Sequence, residues 1–136
     1  ETELVASLTN PTEDKLVEMI VDICQRHHIT AVALDDRGMH SLHRKLKERS
    51  IPVWNLWNKE INTACMTVYA MFANGRLKHN NDPLLVVQNG RAVAKYVGEY
   101  WQVSRKDSVG DIDALLATIW ALHVASAQGV GGVGVY

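Results

Sequence analysis

Between residues 11 and 28, the apolar positions Leu16, Met19, Ile20, Ile23 and Cys24 recur three and four apart. That period puts them on one face of a helix. Asn10 or Thr12 can cap its start, Pro11 suits a first turn, and Glu13 and Asp14 favour the positive end of the helix dipole. The period then changes. Ile29 to Leu34 is a short apolar run, β-rich at its ends, and predicts a strand. "MHSLHRKLKERS" returns to helical spacing, with Leu42 and Leu46 inward and a basic outer face, and "IPVWNLW" predicts a second strand. Helix, strand, helix, strand is the pattern of a parallel sheet with crossover helices.

Further along, "KEINTACMTVYAMFANG" predicts a third helix stopped by Gly75. "DPLLVVQNG" predicts a short helix opening at Pro83 and closing at Asn89-Gly90, "RAVAKYVGEYWQVSRK" a β-hairpin, and "DIDALLATIWALHVASAQ" the last helix. Upstream, residues 4–8, "LVASL", predict a short strand or the end of one. The organisation expected is one domain over residues 1–128 and a flexible tail over 129–136, where four of eight residues are glycine.

Composition supports a single core of ordinary size: 136 residues, 47% hydrophobic and 21% charged. Fourteen basic and 15 acidic residues leave a formal charge of −1, so no global field draws the chain to nucleic acid. A nucleic-acid substrate met by local basic surface stays open. Cys24 and Cys65 lie among apolar helical residues and read as buried free thiols, which points to an intracellular compartment. No apolar run approaches the roughly 20 residues of a membrane span, and no signal peptide is evident. The chain opens on "ETEL" without methionine, which suggests a fragment or a processed chain.

The chemistry begins where the first strand ends, on Asp35 and Asp36. A strand buried on both faces has no use for a carboxylate inside it, but open α/β sheets bind ligands at their carboxyl ends. The plainer alternative is that both acids cap the helix that follows. Asp111 and Asp113, at the start of the last helix, are the second candidates. Ala117 and Ala121 follow Asp113 at one-turn intervals, and small residues there would let the helix sit close to a sheet. Again there is a plainer alternative, with Asp111 as a cap and Asp113 favouring the dipole.

Arg37, Arg44, Lys45, Lys47 and Arg49 form a basic stretch that suits phosphates or a solvated helix face. Arg76, Lys78, Arg91, Arg105 and Lys106 are similar candidates from other loops. His27, His28, His40 and His43 lack the paired spacings of a zinc site. Trp54 and Trp57 read as packing residues, and "GVGGVG" lacks the lysine and following helix of a phosphate loop.

Three stretches carry a resemblance. "AVALDD", followed by an amphipathic helix and "IPV", looks like the second catalytic strand of the nuclease domain in tailed-phage terminase large subunits. "ANGRLKHNNDPLL" resembles that family's small-residue helix, histidine and "np-apolar" turn, and "VAKY…SRKDSVGDIDALLATIWAL" resembles its closing hairpin and helix. Together they span roughly residues 13–125, and their order carries the match.

The resemblance implies an α/β, ribonuclease H-like mixed sheet flanked by helices. It implies metal-dependent cutting of concatemeric double-stranded DNA during genome packaging, in the cytoplasm of the bacterial host. Asp35 and Asp113 match the family's catalytic, metal-binding acids, with Asp36 and Asp111 as runners-up. Such acids bind two Mg²⁺ or Mn²⁺ ions about 4 Å apart, one activating water and the other stabilising the leaving 3′ oxygen. Arg37, Arg44, Lys78, His79, Arg105 and Lys106 are the DNA-binding candidates. The intact protein would add an upstream ATPase domain, a terminase small subunit and a portal as partners, and no membrane.

In this family a first strand with another essential aspartate, and a β-meander after it, come earlier. The chain is therefore expected to lack its first strands and one acid of the cluster. Its 29–35 strand would then expose an edge, open to self-association or to cover by the chain's own ends. Two other readings compete: a non-catalytic, prophage-derived remnant acting as a binding or assembly module, and a resolvase or transposase relative.

Overall fold

The computed structural model describes residues 8, 11–35 and 37–128. Residues 4–7, Asn10, Asp36 and the glycine-rich tail, on which several expectations rest, lie outside the described residues. The described chain is a mixed α/β fold with two small sheets flanked by helices, consistent with a ribonuclease H-like arrangement. It divides into two compact units that meet in sequence at Trp57 and Asn58.

The first unit runs α1 (Glu13–Arg26), β1 (Val32–Asp35), α2 (His40–Glu48) and β2 (Val53–Leu56). Thr12 caps α1, its Oγ1 accepting the Lys15 N–H at 3.2 Å, so Pro11 precedes the cap and does not form the first turn. The buried stripe of α1 passes through Val17 and Val21 as well as Leu16, Ile20 and Cys24. The predicted stripe included Met19 and Ile23. Seven of the nine positions from Leu16 to Cys24 are apolar, too wide a face for periodicity to centre.

That stripe meets Leu42 and Leu46 of α2, the two residues predicted to point inward, together with Leu34 and Ile51. β1 and β2 pair in parallel with α2 as the crossover, and Asp35 stands opposite Leu56. Among the described residues, β1 pairs with β2 alone.

The outer edges of α1 and α2 are joined by polar contacts. Ser41 Oγ donates to Glu13 Oε1 at 2.6 Å, Lys45 Nζ lies 2.8 Å from Asp14 Oδ1, and Arg49 Nη1 lies 2.7 Å from Glu18 Oε1. The Ser41 hydrogen bond, aided by Lys45, lowers the Glu13 carboxyl pKa, and the Lys45 hydrogen bond lowers that of Asp14. Lys45 is raised in turn, chiefly by Asp14, and Arg49 by Glu18. These pairs face water, so they fix helix register more than they add stability.

The second unit contains α3 (Asn58–Ala73), α4 (Pro83–Arg91), β3 (Val93–Val97), β4 (Tyr100–Ser104) and α5 (Asp113–Ala127). α3 buries Ile61, Ala64, Cys65 and Val68, one stripe at helical spacing, and packs on α5. It stops at Gly75, whose φ of +68° is a left-handed conformation. There the Gly75 N–H donates to Phe72 O at 3.1 Å and the Arg76 N–H to Met71 O at 2.9 Å, satisfying two of the carbonyls a helix end leaves over.

Asp82 caps α4 through the Leu84 N–H, with Pro83 in the first turn as predicted. The helix continues through Gly90 to Arg91, one residue beyond the predicted stop. The hairpin β3–β4 turns at Gly98-Glu99, and Tyr69 of α3 meets Trp101 of β4 edge-on, ring centroids 5.7 Å apart.

α5 is apolar nearly all round. It buries Leu116, Ile119, Trp120, Leu122 and Val124 against its neighbours, and buried His123 lies 3.3 Å from Glu60 of α3. Ala117 and Ala121 are exposed, as is Asp113. The stripe expected to rest on a sheet therefore faces outward, because the larger side chains took the interior. Two further expectations shift: Trp57 is exposed and Trp54 half-buried, and Cys24 is half-buried while Cys65 is buried. Neither cysteine is in a disulfide among the described residues, and partial burial raises the Cys24 thiol pKa. No helix among the described residues is long and apolar enough to cross a membrane.

α5 has no cap of its own, since Ile112 stands at its N-cap and Asp111 does not serve as one. The acceptor comes from α4: Gln88, 4% exposed, takes the Leu115 N–H on its Oε1 at 3.0 Å. Gln88→Leu should therefore cost about 1–2 kcal/mol, the usual penalty for stranding a helix-start donor. Gln88→Glu keeps an acceptor at the positive helix end and should cost less. Urea unfolding midpoints of the two variants check this, and equal midpoints would remove Gln88 from the role.

Candidate functional site

The residues predicted to act together divide between the two units. Asp35 closes β1 in the first. The parallel ladder fixes its backbone, and Leu34 before it is in the core, so Asp35 projects from the opposite side of the strand, where it is only 3% exposed. A buried carboxylate must be paired or hydrogen-bonded to persist. Arg37 supplies both forms of support. Its backbone N–H donates to Oδ1 at 2.9 Å, its Nε donates to Oδ1 at 3.0 Å, and its Nη2 donates to Oδ2 at 2.7 Å. A guanidinium fork on a carboxylate is among the stronger polar pairs in proteins. Asp35 is thus neither a helix cap nor a surface acid. It is an anion seated at the carboxyl end of a parallel strand, with a cation in its lap.

Asp113 is the first residue of α5 and is exposed, with Asp111 two residues before it, also exposed. The helix start is held by Gln88 from α4, and by the loop before it, where the Val109 N–H donates to Arg91 O at 3.2 Å. Asp36 lies outside the described residues, so the choice between it and Asp35 is not made by geometry. Among the described residues, no three His, Cys, Asp or Glu side chains converge as the ligands of one metal ion would. The donor chemistry fits Mg²⁺ or Mn²⁺ in kind, since carboxylate oxygens suit hard cations. It does not fit in number.

The basic candidates sort themselves by partner. Arg37 belongs to Asp35. Lys45 and Arg49 are taken by the acids of α1. Arg44 stays exposed on α2, 4.0 Å from Glu48, beside Lys47, His40 and His43 on a shallow outer face. In the second unit, Lys78 and His79 are exposed in the loop after α3, and His79 Nδ1 accepts the Asn81 N–H at 3.1 Å. Arg105 and Lys106 ride the tight turn after β4. Ser104 Oγ holds that turn, donating to Asp107 Oδ2 at 2.9 Å and accepting the Asp107 N–H at 3.1 Å. Both cations are presented to water at its tip.

A groove of about 700 Å³ also opens in this unit, lined by Tyr69, Phe72, Leu77, Tyr96 and Trp101, with His79 among its polar residues. Its walls are mostly apolar and, among the described residues, hold no carboxylate.

Two features of the site escaped the sequence reading. The contact between Arg37 and Asp35 was not read, although an i+2 spacing is that of an aspartate accepting from its own turn. Gln88 was passed over within an apolar helix, where a lone amide among valines and leucines is itself a sign of a buried partner.

Comparison with known proteins gives the family and the fold. A search of curated proteins finds no match. Among solved structures, the crystal structure of the HK97 bacteriophage large terminase is similar, with a TM-score of 0.72 at 20% identity. The alignment covers 84% of this chain and 25% of that one, so the chain spans about a quarter of the length of the terminase it matches. At that identity the likeness is one of fold. Sequence gives the family directly: residues 6–129 match the terminase large subunit endonuclease domain, and the chain belongs to that family.

Proposed function

We propose that this chain is the carboxyl-side part of a nuclease domain that cuts concatemeric double-stranded DNA in an intact packaging terminase. The observation that carries the reading is the buried carboxylate of Asp35 at the end of β1, in a chain of the terminase endonuclease family. A strand end that maintains a desolvated anion is suited to holding a cation. Asp35 and Asp113 are the assigned metal ligands, with Asp36 and Asp111 as the neighbouring carboxylates, and a further acid from upstream would complete the set. Mg²⁺ or Mn²⁺ bound there would supply an activated water and a counter-charge for the leaving oxygen.

The remaining roles belong to the chain's own residues. Lys78, His79, Arg105 and Lys106 stand on loops of the second unit and Arg44 on α2, all exposed, and they meet backbone phosphates without reading sequence. The ATPase domain, small subunit and portal are partners of the whole terminase.

A second reading is favoured by one observation: among the described residues no three ligands converge. On that reading the chain is a non-catalytic binding or assembly module. Plasmid cleavage separates the two. A longer protein that adds the upstream strand and its aspartate should nick and linearise plasmid with Mn²⁺ or Mg²⁺ and stop with EDTA, while this chain alone should be much weaker. Absence of metal-dependent cutting by the longer protein would favour the module.

A further inference from the structure

We propose that the groove of the second unit binds an unpaired DNA strand, with bases stacked on Tyr69, Phe72 and Tyr96 and phosphates met by Arg76, Lys78 and His79. The proposal concerns binding without metal, so it stands or falls apart from the cleavage proposed above.

One wall of the groove comes from α3. Cys65, Val68, Tyr69 and Phe72 recur at helical spacing and form one stripe. Cys65 and Val68 are in the core, but Tyr69 is 64% exposed and Phe72 60%. The apolar face of the helix thus continues past the part that the fold covers. The hairpin supplies another wall. Ala94 pairs with Val103 and Tyr96 with Trp101, so these side chains share one face of the ribbon, and all four line the groove. Tyr96 is 73% exposed. The edge-on contact of Tyr69 with Trp101 ties helix to hairpin. The rings are therefore in place before a ligand arrives, and less ordering remains to be done on binding. Every lining residue belongs to the second unit.

The chemistry of walls and rim together selects the occupant. Exposed apolar surface of this kind marks a binding face, and here three aromatic rings stand more than half exposed. Such rings stack on the flat faces of unpaired bases, whereas a duplex shows only base edges in its grooves. The rim is positive. Leu77 and His79 line the groove, and the stretch that holds them, residues 74–81, contains Arg76, Lys78 and His79 and no acid. Arg76 and Lys78 are exposed. In a chain of formal charge −1 this is a local segregation of cations. With no carboxylate among the described lining residues, no fixed anion within the groove opposes a phosphate. His79 Nδ1 accepts the Asn81 N–H at 3.1 Å, which leaves the proton of the neutral ring on Nε2 as a donor. The volume, about 700 Å³, lies in the range of small-ligand sites, about 300–1,000 Å³. That is space for bases and too little for a duplex. An apolar peptide would fill the walls but leave the cations of the rim unanswered. Membership of a terminase endonuclease family makes DNA the nucleic acid.

The test is binding of short labelled strands to the full chain, read by fluorescence anisotropy at low salt in EDTA. One probe is a thymidine strand of about eight nucleotides, an ordinary length for a single-strand site. The other is an abasic strand of the same length, which keeps every phosphate and has no bases to stack. The thymidine strand should bind about tenfold or more tighter, the scale of one stacked base. Tyr96→Ala and Phe72→Ala should each lower that affinity about tenfold. They should leave the abasic strand and a duplex of the same length bound as before. Both side chains are exposed, so the core stays in place. Arg76→Gln should weaken the thymidine and abasic strands alike and reduce the salt slope by about 0.7.

Equal affinity for the thymidine and abasic strands overturns the proposal. So does thymidine binding that is unchanged in both Tyr96→Ala and Phe72→Ala, or a loss in those variants that is matched on the duplex. Absence of binding to the thymidine strand also overturns it, and leaves the groove to a protein segment. A uridine RNA strand bound more tightly than the thymidine strand overturns the choice of DNA.

Discussion

Asp35→Asn in a longer terminase with the complete nuclease domain is expected to lower metal-dependent plasmid cleavage by about a thousandfold or more, the scale of a lost metal ligand. The amide keeps the shape of the carboxylate and one carbonyl oxygen for the Arg37 N–H, but loses the charge that holds a cation. The fold should survive. The orphaned partner is the Arg37 guanidinium, already half exposed, which can turn to water at little cost. The converse substitution would take the guanidinium from a buried carboxylate, so the two sides of this pair are not equivalent.

Asp113→Asn should have an effect of similar size if α5 supplies a ligand, and it bears directly on the exposed stripe of that helix. Asp36→Asn and Asp111→Asn are the controls. A double loss at Asp36 and Asp111, with near wild-type cutting in Asp35→Asn and Asp113→Asn, would transfer the chemistry to the neighbours. Circular dichroism of each variant separates a lost ligand from a lost fold.

How much of this could be read from the sequence depended on how local each cause was. The strand end at Asp35 was legible because an apolar run stopping on an acid is a local signal. So were the inward faces of Leu42 and Leu46, the stop at Gly75 and the helix opening at Pro83, each written within one helical turn. The basic stretch from Arg37 to Arg49 was not legible in the same way. Lys45 and Arg49 find their partners 31 residues upstream on α1, and no pattern within the stretch distinguishes them from Arg44.

The face of α5 was misjudged for a different reason. A helix with Leu116, Ile119, Trp120 and Leu122 spread around its circumference has no single apolar stripe, so the alanines could be assigned to either side. Gln88 acts on a residue 27 positions away. Asp35 does close its strand, but its contact with Arg37 went unread, because a two-residue spacing reads as a charge run until the turn is seen to close.

The position of Asp35 rests in the end on apolar packing, and Leu46→Ala should show it. Leu46 is fully buried in the cluster of Val17, Leu34, Leu42 and Ile51, with Val32 and Val53 of the two paired strands packed against it. Truncating it removes three carbons from the middle of that cluster. The lost burial and the cavity together should cost about 3 kcal/mol, within the usual range for such a change, and lower the melting temperature by about 10 °C. Leu46→Met nearly conserves volume and should cost less than about 1.5 kcal/mol.

The further consequence is chemical. Leu34 rests on the same cluster and is bonded to Asp35, so a core that relaxes beneath β1 also shifts the carboxylate. A displacement of about 1 Å at a catalytic group can cost about a hundredfold in rate. Leu46→Ala in the longer terminase should therefore cut more slowly even at temperatures where it is fully folded, while Leu46→Met should not. Cleavage at wild-type rate by a folded Leu46→Ala variant, measured well below its melting temperature, would mean that the strand end holds its place without the core beneath it.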